Sequence, residues 1–287
     1  MFYARPSSLE EALAIRADRD VTVLAGGTDV YPAKAGRNGW GDMREEGILD
    51  ITAVDELRGI DDSGDHVRLG ALTTWTQLRR HSLPPAFAGI QSAAREVGGA
   101  QIQNRGTLAG NLCTASPAGD GIPCLLALDA EIELVSRRGT RRVPVADFVT
   151  GYRQTACAAD ELVTAILVPK PEPAARARFL KLGARRYLVI SIVMASAVIA
   201  PDGHGVISNA RIAIGACSAM AKRLPDLEAA LRGCHVSEAA EIAAASHLQV
   251  LSPIDDIRAS GAFRSHAALI VLRDLLGSLA PTEARAA

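Results

Sequence analysis

The sequence predicts an α+β fold. Two observations carry that expectation: two stretches read as antiparallel strand pairs around short turns, and the helical patterns gather before and after them. A third agrees: strands and helices do not alternate in the βαβ manner that a doubly wound sheet requires.

The elements follow in order. Pro6, Ser7 and Ser8 precede Leu9, Ala12, Leu13 and Ala17 at helical spacing, and Ser8 with Glu11 forms an S-x-x-E capping box, so a helix is expected from Leu9. The β-branched run VTVLA from Val21 reads as a strand whose exit carries Gly26 and Gly27. HVRLGAL from His66 alternates as a strand, Thr74 with Gln77 caps another helix, and Ile90, Ala93, Ala94 and Val97 mark one apolar helical face. IPCLLAL, after Asp120, reads as a short buried helix, and AEIELVSRRGTRRVPV as a β-hairpin. The three prolines of VPKPEPAARAR, Val168 to Arg178, mark the expected boundary between a domain over 1–172 and a smaller one over 173–287. Beyond it ISIVMASAVIA and GVISNARIAIGA flank Pro201-Asp202-Gly203 as an antiparallel pair, with the apolar run Leu188 to Ala200 read as one buried strand. Helices are expected over Leu224 to Leu231, over Ser237 to Leu248, and around Leu269, Leu272, Leu275 and Leu276.

Composition narrows the function. Basic and acidic residues nearly balance, 31 against 32, and a net charge of -1 lacks the basic excess that binds a phosphate backbone, so nucleic acid is not an expected partner. The longest apolar run is shorter than the roughly 20 residues that cross a bilayer, and MFYARPSSLEE lacks the basic start and apolar core of a signal peptide. Cys113, Cys124, Cys157, Cys217 and Cys234 show no C-x-x-C spacing, so they read as scattered reduced thiols of a cytoplasmic protein, with no metal site. His66, His81, His204, His235, His247 and His266 are likewise too dispersed to form a ligand set.

Two stretches carry the chemistry: LAGGTDVYPAKAG from Leu24 and NRGTLAGNLCTASPAGD from Asn104. Adjacent glycines let the main chain enter positive φ and let a ligand approach it, and successive exposed amides form an anion-binding nest. Phosphate is the natural guest, with Thr28, Asp29, Thr107, Gly110, Asn111 and Ser116 available to bond phosphate or ribose oxygens. Neither stretch is G-x-G-x-x-G or a Walker A loop. Asp120 reads equally as a helix N-cap and as a ligand contact, roles that can coexist. No acid/base set stands out, so no catalytic residue is assigned.

LAGGTDVYP and QIQNRGTLAGNLCTASPAGD together resemble the FAD-binding medium subunit of the molybdenum hydroxylases, the family of xanthine dehydrogenase, carbon monoxide dehydrogenase and 4-hydroxybenzoyl-CoA reductase. The likeness continues through DELVTAILVP, LKLGARR and SPIDDIRASGAFR, nearly end to end. It implies a two-subdomain FAD-binding fold of the vanillyl-alcohol-oxidase/MurB type followed by a small C-terminal domain. Carried over by position, Ala25, Gly26, Gly27, Thr28 and Asp29 would wrap the pyrophosphate of a non-covalent FAD, flanked by Leu24 and Val30. Thr107, Gly110, Asn111 and Ser116 would form the second wall, and Asp120 would reach a sugar or ribityl hydroxyl. Lys181 would lie near the flavin ring, and Val163, one register step from Leu162, would make an apolar contact with it. The family usually reads T-I-G-G-N where this chain has Thr107-Leu108-Ala109-Gly110-Asn111, and Ala109 fits only where φ is negative. The cysteine-bearing insertion of the benzoyl-CoA type is missing.

The resemblance implies an electron-transfer subunit whose partners are a small iron-sulfur (2Fe-2S) subunit and a large molybdenum cofactor subunit, in a heterotrimer or a dimer of heterotrimers. A self-contained flavin reductase of MurB-like fold and a flavin-free scaffold are the alternatives. A visible spectrum separates the scaffold from the flavoproteins, and turnover without partners separates the reductase.

Overall fold

A computed structural model describes residues 2–32 and 47–280; residues 33–36 of the first glycine-rich stretch and 281–287 of the expected second domain lie outside them. The first helix is Leu9–Asp18. Ser8 Oγ accepts from the Glu11 amide as the capping box predicts, but the Glu11 carboxylate returns to the amide of Ser7 rather than Ser8. This helix joins β1 (Tyr3–Ala4) to β2 (Val21–Leu24), and β3 (Gly47–Asp50) lies between them, parallel to both. The sequence pattern gives no sign of this small parallel sheet, because its first strand is two residues long and its middle strand comes from far along the chain.

β4 (Ile60–Asp61), β5 (His66–Gly70), β6 (Glu131–Ser136) and β7 (Gly139–Pro144) follow, then a small hairpin of β8 (Val149–Gly151) and β9 (Gln154–Thr155). β10 (Leu162–Pro169) inserts between β5 and β6 to give an antiparallel sheet in the order β4-β5-β10-β6-β7. The expected hairpin is β6 with β7, turning at Arg137 and Arg138. Thr74 and Gln77 form the full capping box of the helix Trp75–Arg80, and the apolar face at Ile90, Ala93 and Ala94 is the buried side of the helix Ala88–Glu96.

The third sheet is antiparallel: β11 (Arg176–Leu182), β12 (Val193–Pro201), β13 (Ile207–Gly215) and β14 (Lys222–Arg223). All nine residues of β12 are buried because both faces of this sheet are covered. Successive strand residues point to opposite faces. Val193, Ala195, Ala197 and Ile199 join an apolar cluster with the helices Pro225–Leu231 and Gly261–Gly277. Met194, Val198 and Ala200 join the larger cluster built from the preceding two-thirds of the chain. On that second face Ala177, Ala200 and Ala213 are small, and Gly89 sits where a Cβ would lie 3.1 Å from the Arg178 carbonyl oxygen, so the helix Ala88–Glu96 packs closely on β11.

Two expected elements are shorter than the sequence suggests. The apolar run from Leu188 becomes strand only at Val193: Leu188 has a φ of 53°, and Leu188 and Ile190 are exposed. This segment is held by its polar atoms instead, with Ser191 bonded to Asp120 and the Ile192 carbonyl accepting from Arg264. The expected helix over Ser237 to Leu248 is broken into Ala239–Ile242 and a 3-10 turn Ala245–Leu248, because Ala243 and Ala244 are extended and the Ala244 amide donates to His247 Nδ1 to start a new turn. The α+β class itself holds. All five cysteines are free thiols, and no helix among the described residues is long and apolar enough to cross a membrane.

Candidate functional site

The first wall of the site begins where β2 ends at the buried Leu24. The chain turns through Gly27, whose φ of 75° suits glycine, and takes helical backbone at Val30. The Tyr31 amide donates to the Gly27 carbonyl, while the amides of Gly26, Gly27, Thr28 and Asp29 donate to nothing among the described residues. Four consecutive unpaired donors at a concave surface are the chemistry of an anion cradle. Gly26 has a different job. A Cβ there would lie 2.1 Å from the Arg105 carbonyl oxygen and 2.9 Å from Gly106 Cα, so its missing side chain lets the two glycine-rich stretches touch.

The second wall is the opening of a helix rather than a glycine turn. Thr107 caps the helix Leu108–Thr114 by accepting the Gly110 amide at 3.0 Å. That corrects one expectation, since Gly110 is not a free main-chain donor, and settles another, since Ala109 lies in helical backbone where glycine has no advantage. Leu108 and Leu112 are fully buried under this helix, while Thr107, Gly110, Asn111, Cys113 and Thr114 line the opposite side. Asn111 Oδ1 accepts from the Gly121 amide at 3.2 Å, and its NH₂ group has no partner among the described residues.

Between the walls lie two adjoining hollows of about 320 and 350 Å³ that share Val23, Ala25, Gly110 and Cys113, and so form one elongated cleft. The first lobe is polar along the run Gly26 to Val30, with Trp75, Val97 and Ile102 as its apolar part. The second is lined largely by aliphatic side chains, among them Ile51, Ala71, Leu162 and Val163. Of its charged members, Glu161 is gripped by Arg141 through bonds of 2.6 and 2.8 Å, whereas Arg16 Nη1 donates to the Val21 carbonyl at 2.6 Å and its buried Nε has no partner among the described residues. The Arg141 guanidinium holds the Glu161 carboxyl below the usual carboxylate range, and burial pushes the Cys157 thiol up.

Two sequence candidates are engaged with each other. Asp120 stands at the N-cap of the helix Gly121–Ala127 but makes no capping bond; its carboxylate meets Lys181 Nζ at 2.7 Å and Ser191 Oγ at 2.6 Å, with all three side chains buried. This cluster pins the second glycine-rich stretch to β11 and to the segment before β12. Ser116 Oγ accepts from the Ala118 amide at 3.3 Å. The structure thus gathers Ala25 to Val30, Thr107, Gly110, Asn111 and Val163 around one cleft, with Leu24 beneath the turn. Sequence reasoning missed Trp75, Val97, Ile102, Cys113 and Thr114. For Cys113 and Thr114 a signal existed, because they follow Gly110 and Asn111 at i+3 on one helical face.

Comparison with known proteins fixes the family. The family described as the FAD binding domain in molybdopterin dehydrogenase matches residues 1–171, and the CO dehydrogenase flavoprotein C-terminal domain matches residues 178–279. The chain belongs to the FAD-binding subunits of the molybdopterin dehydrogenases. Among these relatives it is 32% identical to the nicotine 6-hydroxylase medium subunit of Paenarthrobacter nicotinovorans, over 91% of each chain. It is also 32% identical to the xanthine dehydrogenase FAD-binding subunit of Escherichia coli O157:H7, over 92% of this chain and 90% of that one. Carbon monoxide dehydrogenase from Hydrogenophaga pseudoflava superposes with a TM-score of 0.86 at 27% identity, over 96% of both chains. Quinoline 2-oxidoreductase from Pseudomonas putida 86 superposes with a TM-score of 0.83 at 26% identity, over 96% of this chain and 95% of that one. As a family member the chain is an oxidoreductase subunit and its cofactor is FAD. The cleft suits that group: an elongated space, a polar lobe with unpaired main-chain donors for a pyrophosphate, and an aliphatic lobe for a flat ring.

Proposed function

We propose that this chain is the FAD-carrying electron-transfer subunit of a molybdenum hydroxylase complex. It would take electrons from the iron-sulfur clusters of a small subunit, themselves fed by a molybdenum centre in a large subunit, and deliver them to an external acceptor. The observation that carries the reading is the row of four unpaired amides in the turn that lines the cleft, beside a wall of neutral polar groups. In this reading the amides of Gly26 to Asp29 bind the pyrophosphate, the Thr28 hydroxyl donates to a phosphate oxygen, and the Asp29 carboxylate accepts from a sugar hydroxyl of the FAD. Leu24 and Val30 hold the turn in place. Thr107 and the NH₂ of Asn111 form the opposite wall, Ser116 shapes the loop behind it by accepting the Ala118 amide, and Gly110 contributes space rather than a donor. Val163 and Leu162 cover a flat apolar ring and exclude water from it.

Asp120 and Lys181 act as a pair in this reading, fixing the wall behind the cofactor. FAD, when bound, supplies the redox couple; this chain's side chains supply position and a dry, low-polarity surround. The chain is proposed to divide near residue 172 into an FAD-binding domain (1–172) and a C-terminal domain (173–287), as the prolines of Val168 to Arg178 and the two family matches support. The names of relatives as medium subunits support assembly as a heterotrimer or its dimer, and the free thiols support a cytoplasmic setting.

Co-expression with an iron-sulfur and a molybdenum partner, followed by size-exclusion chromatography with flavin and metal analysis, tests the reading. A complex containing FAD, iron and molybdenum is expected. A monomeric flavoprotein that oxidises an organic substrate without iron or molybdenum would overturn it.

A further inference from the structure

One buried donor in the second lobe of the cleft has no acceptor among the described residues. Arg16, in the last turn of the helix Leu9–Asp18, is partly buried and lines that lobe. Its Nη1 donates to the Val21 carbonyl at 2.6 Å, but its Nε is sealed from solvent and unpartnered. The guanidinium lies near enough to Cys157, another lining residue, for its charge to favour the thiolate there against burial. Glu161, the acid of the same lobe, does not pair with it, being taken by Arg141 and by the Ala158 amide at 2.8 Å. The helix C-terminus accounts for a positive charge at this position and the Val21 carbonyl for one of its donors, but neither accounts for the Nε. Arg211 and Arg264 also bury an unpartnered Nε, yet each holds a carboxylate at 2.7 Å and neither lines the cleft.

We propose that Arg16 is a cofactor-specificity residue, donating from Nε to an acceptor on the edge of the FAD ring that enters the second lobe. Arginine keeps its charge at every working pH, so this donor cannot be silenced by losing a proton, and a buried donor without an acceptor is costly. An aliphatic guest would leave it unmet. A flat nitrogen heterocycle would not: the buried Leu162 and Val163 can cover its apolar faces, while the lone pairs of ring nitrogens and carbonyl oxygens lie in the ring plane, where a donor at the rim meets them. Both rings of FAD have such an edge, the pyrimidine side of the isoalloxazine and the imine nitrogens of adenine. The inference rests on the cleft being the FAD site, and it adds a residue that neither glycine-rich stretch contains. Arg16 then has opposed effects in the two states: without cofactor it buries an unmet donor, and with cofactor it holds a charge-assisted bond.

Arg16→Met keeps an unbranched stem and removes every donor. Titration of the cofactor-free chain with FAD, and with FMN and ADP as separate probes, is expected to show the FAD Kd of this variant raised about tenfold or more, while its apoprotein melts no lower than the parent. The loss should fall on one half of the cofactor. It falls on FMN, with a shifted flavin absorption spectrum, where the lobe takes the isoalloxazine, and on ADP, with the spectrum unchanged, where it takes adenine. An unchanged FAD Kd would overturn the proposal, and so would equal losses for FMN and ADP together with a lower melting temperature, the pattern of an Arg16 that only supports the fold. A parent chain that bound no FAD would sink the reading of the cleft and this proposal with it, whereas a parent that binds FAD beside an equally tight Arg16→Met sinks the proposal alone.

Discussion

Gly26→Ala is the sharpest perturbation the site offers. The added methyl would lie 2.1 Å from the Arg105 carbonyl oxygen, 2.7 Å from its carbon and 2.9 Å from Gly106 Cα, all main-chain atoms that cannot rotate away. The two glycine-rich stretches must therefore separate by roughly 1 Å, an overpacking strain of about 1–3 kcal/mol. At about 2–4 °C per kcal/mol for a chain of this size, the melting temperature should fall by roughly 2–12 °C. Displacing the turn by that distance breaks two or so charge-assisted bonds from the amides to the pyrophosphate, each worth about 1.5–3 kcal/mol, so the Kd for FAD should rise by about 10²–10⁴. Gly27→Ala should cost less. Its φ of 75° imposes about 1–2 kcal/mol of strain, but the nearest obstacle is the exposed Tyr31 ring at 2.7 Å, which can swing out. FAD titration by fluorescence quenching and calorimetry of the apoprotein measure both effects. If Gly26→Ala bound FAD as tightly as the parent and melted within a degree of it, the claim that Gly26 exists to join the two stretches would be wrong.

Other expectations follow from the same geometry. Lys181→Met strands a buried carboxylate and should destabilise the chain by about 3–5 kcal/mol in denaturant unfolding, with the double variant Asp120→Asn/Lys181→Met regaining more than half of that; additive losses would show that the pair is not coupled. Asp256 accepts the amides of Arg258 and Ala259 and the Arg264 guanidinium, which hold its carboxyl down at about 2, below its ordinary value near 3.8. A folded-state value below the unfolded one means that its contribution is present above about pH 4 and is lost as pH falls toward 2. The stability gap between parent and Asp256→Asn should accordingly close over that interval, and a constant gap would refute the assignment. Cys113→Phe fills the junction of the two lobes and should raise the FAD Kd at least about tenfold, roughly 1.4 kcal/mol, without lowering the apoprotein melting temperature; unchanged affinity would place the cofactor elsewhere.

Signals in the sequence hold where the physics behind them is local. Ser8 and Thr74 cap helices because a hydroxyl three residues before a free amide suffices, and the turn at Gly27 needs only a residue that tolerates positive φ. The class and both glycine-rich walls were therefore legible. Long-range pairing was not. β3 takes its place between β1 and β2 through backbone register that no nearby residue encodes, and Asp120 finds Lys181 and Ser191 only after β11 and the following segment have folded over it. Apolar runs also misled: Leu188 and Ile190 have the composition of a buried strand but lie outside the sheet, because the positive φ at Leu188 and the polar tie at Ser191 turn the chain there. Composition and the family resemblance both point to Gly110 as part of the second wall, but neither registers that the threonine three residues before it takes its amide as a helix cap.

β12 has a consequence for how such subunits can diversify. Its alternate side chains belong to two different interiors, so Val193, Ala195, Ala197 and Ile199 answer to one set of neighbours while Met194, Val198 and Ala200 answer to another. A graft that exchanged everything after residue 172 with the corresponding part of a relative would carry the first set intact with its own helices. It would bring the second set up against helices it had never met, at a face where Ala177, Ala200 and Ala213 leave little room for error. The linker is thus a permissive place to cut the gene and a poor place to recombine the protein, and sequence drift on the two sides of that strand must proceed under separate constraints.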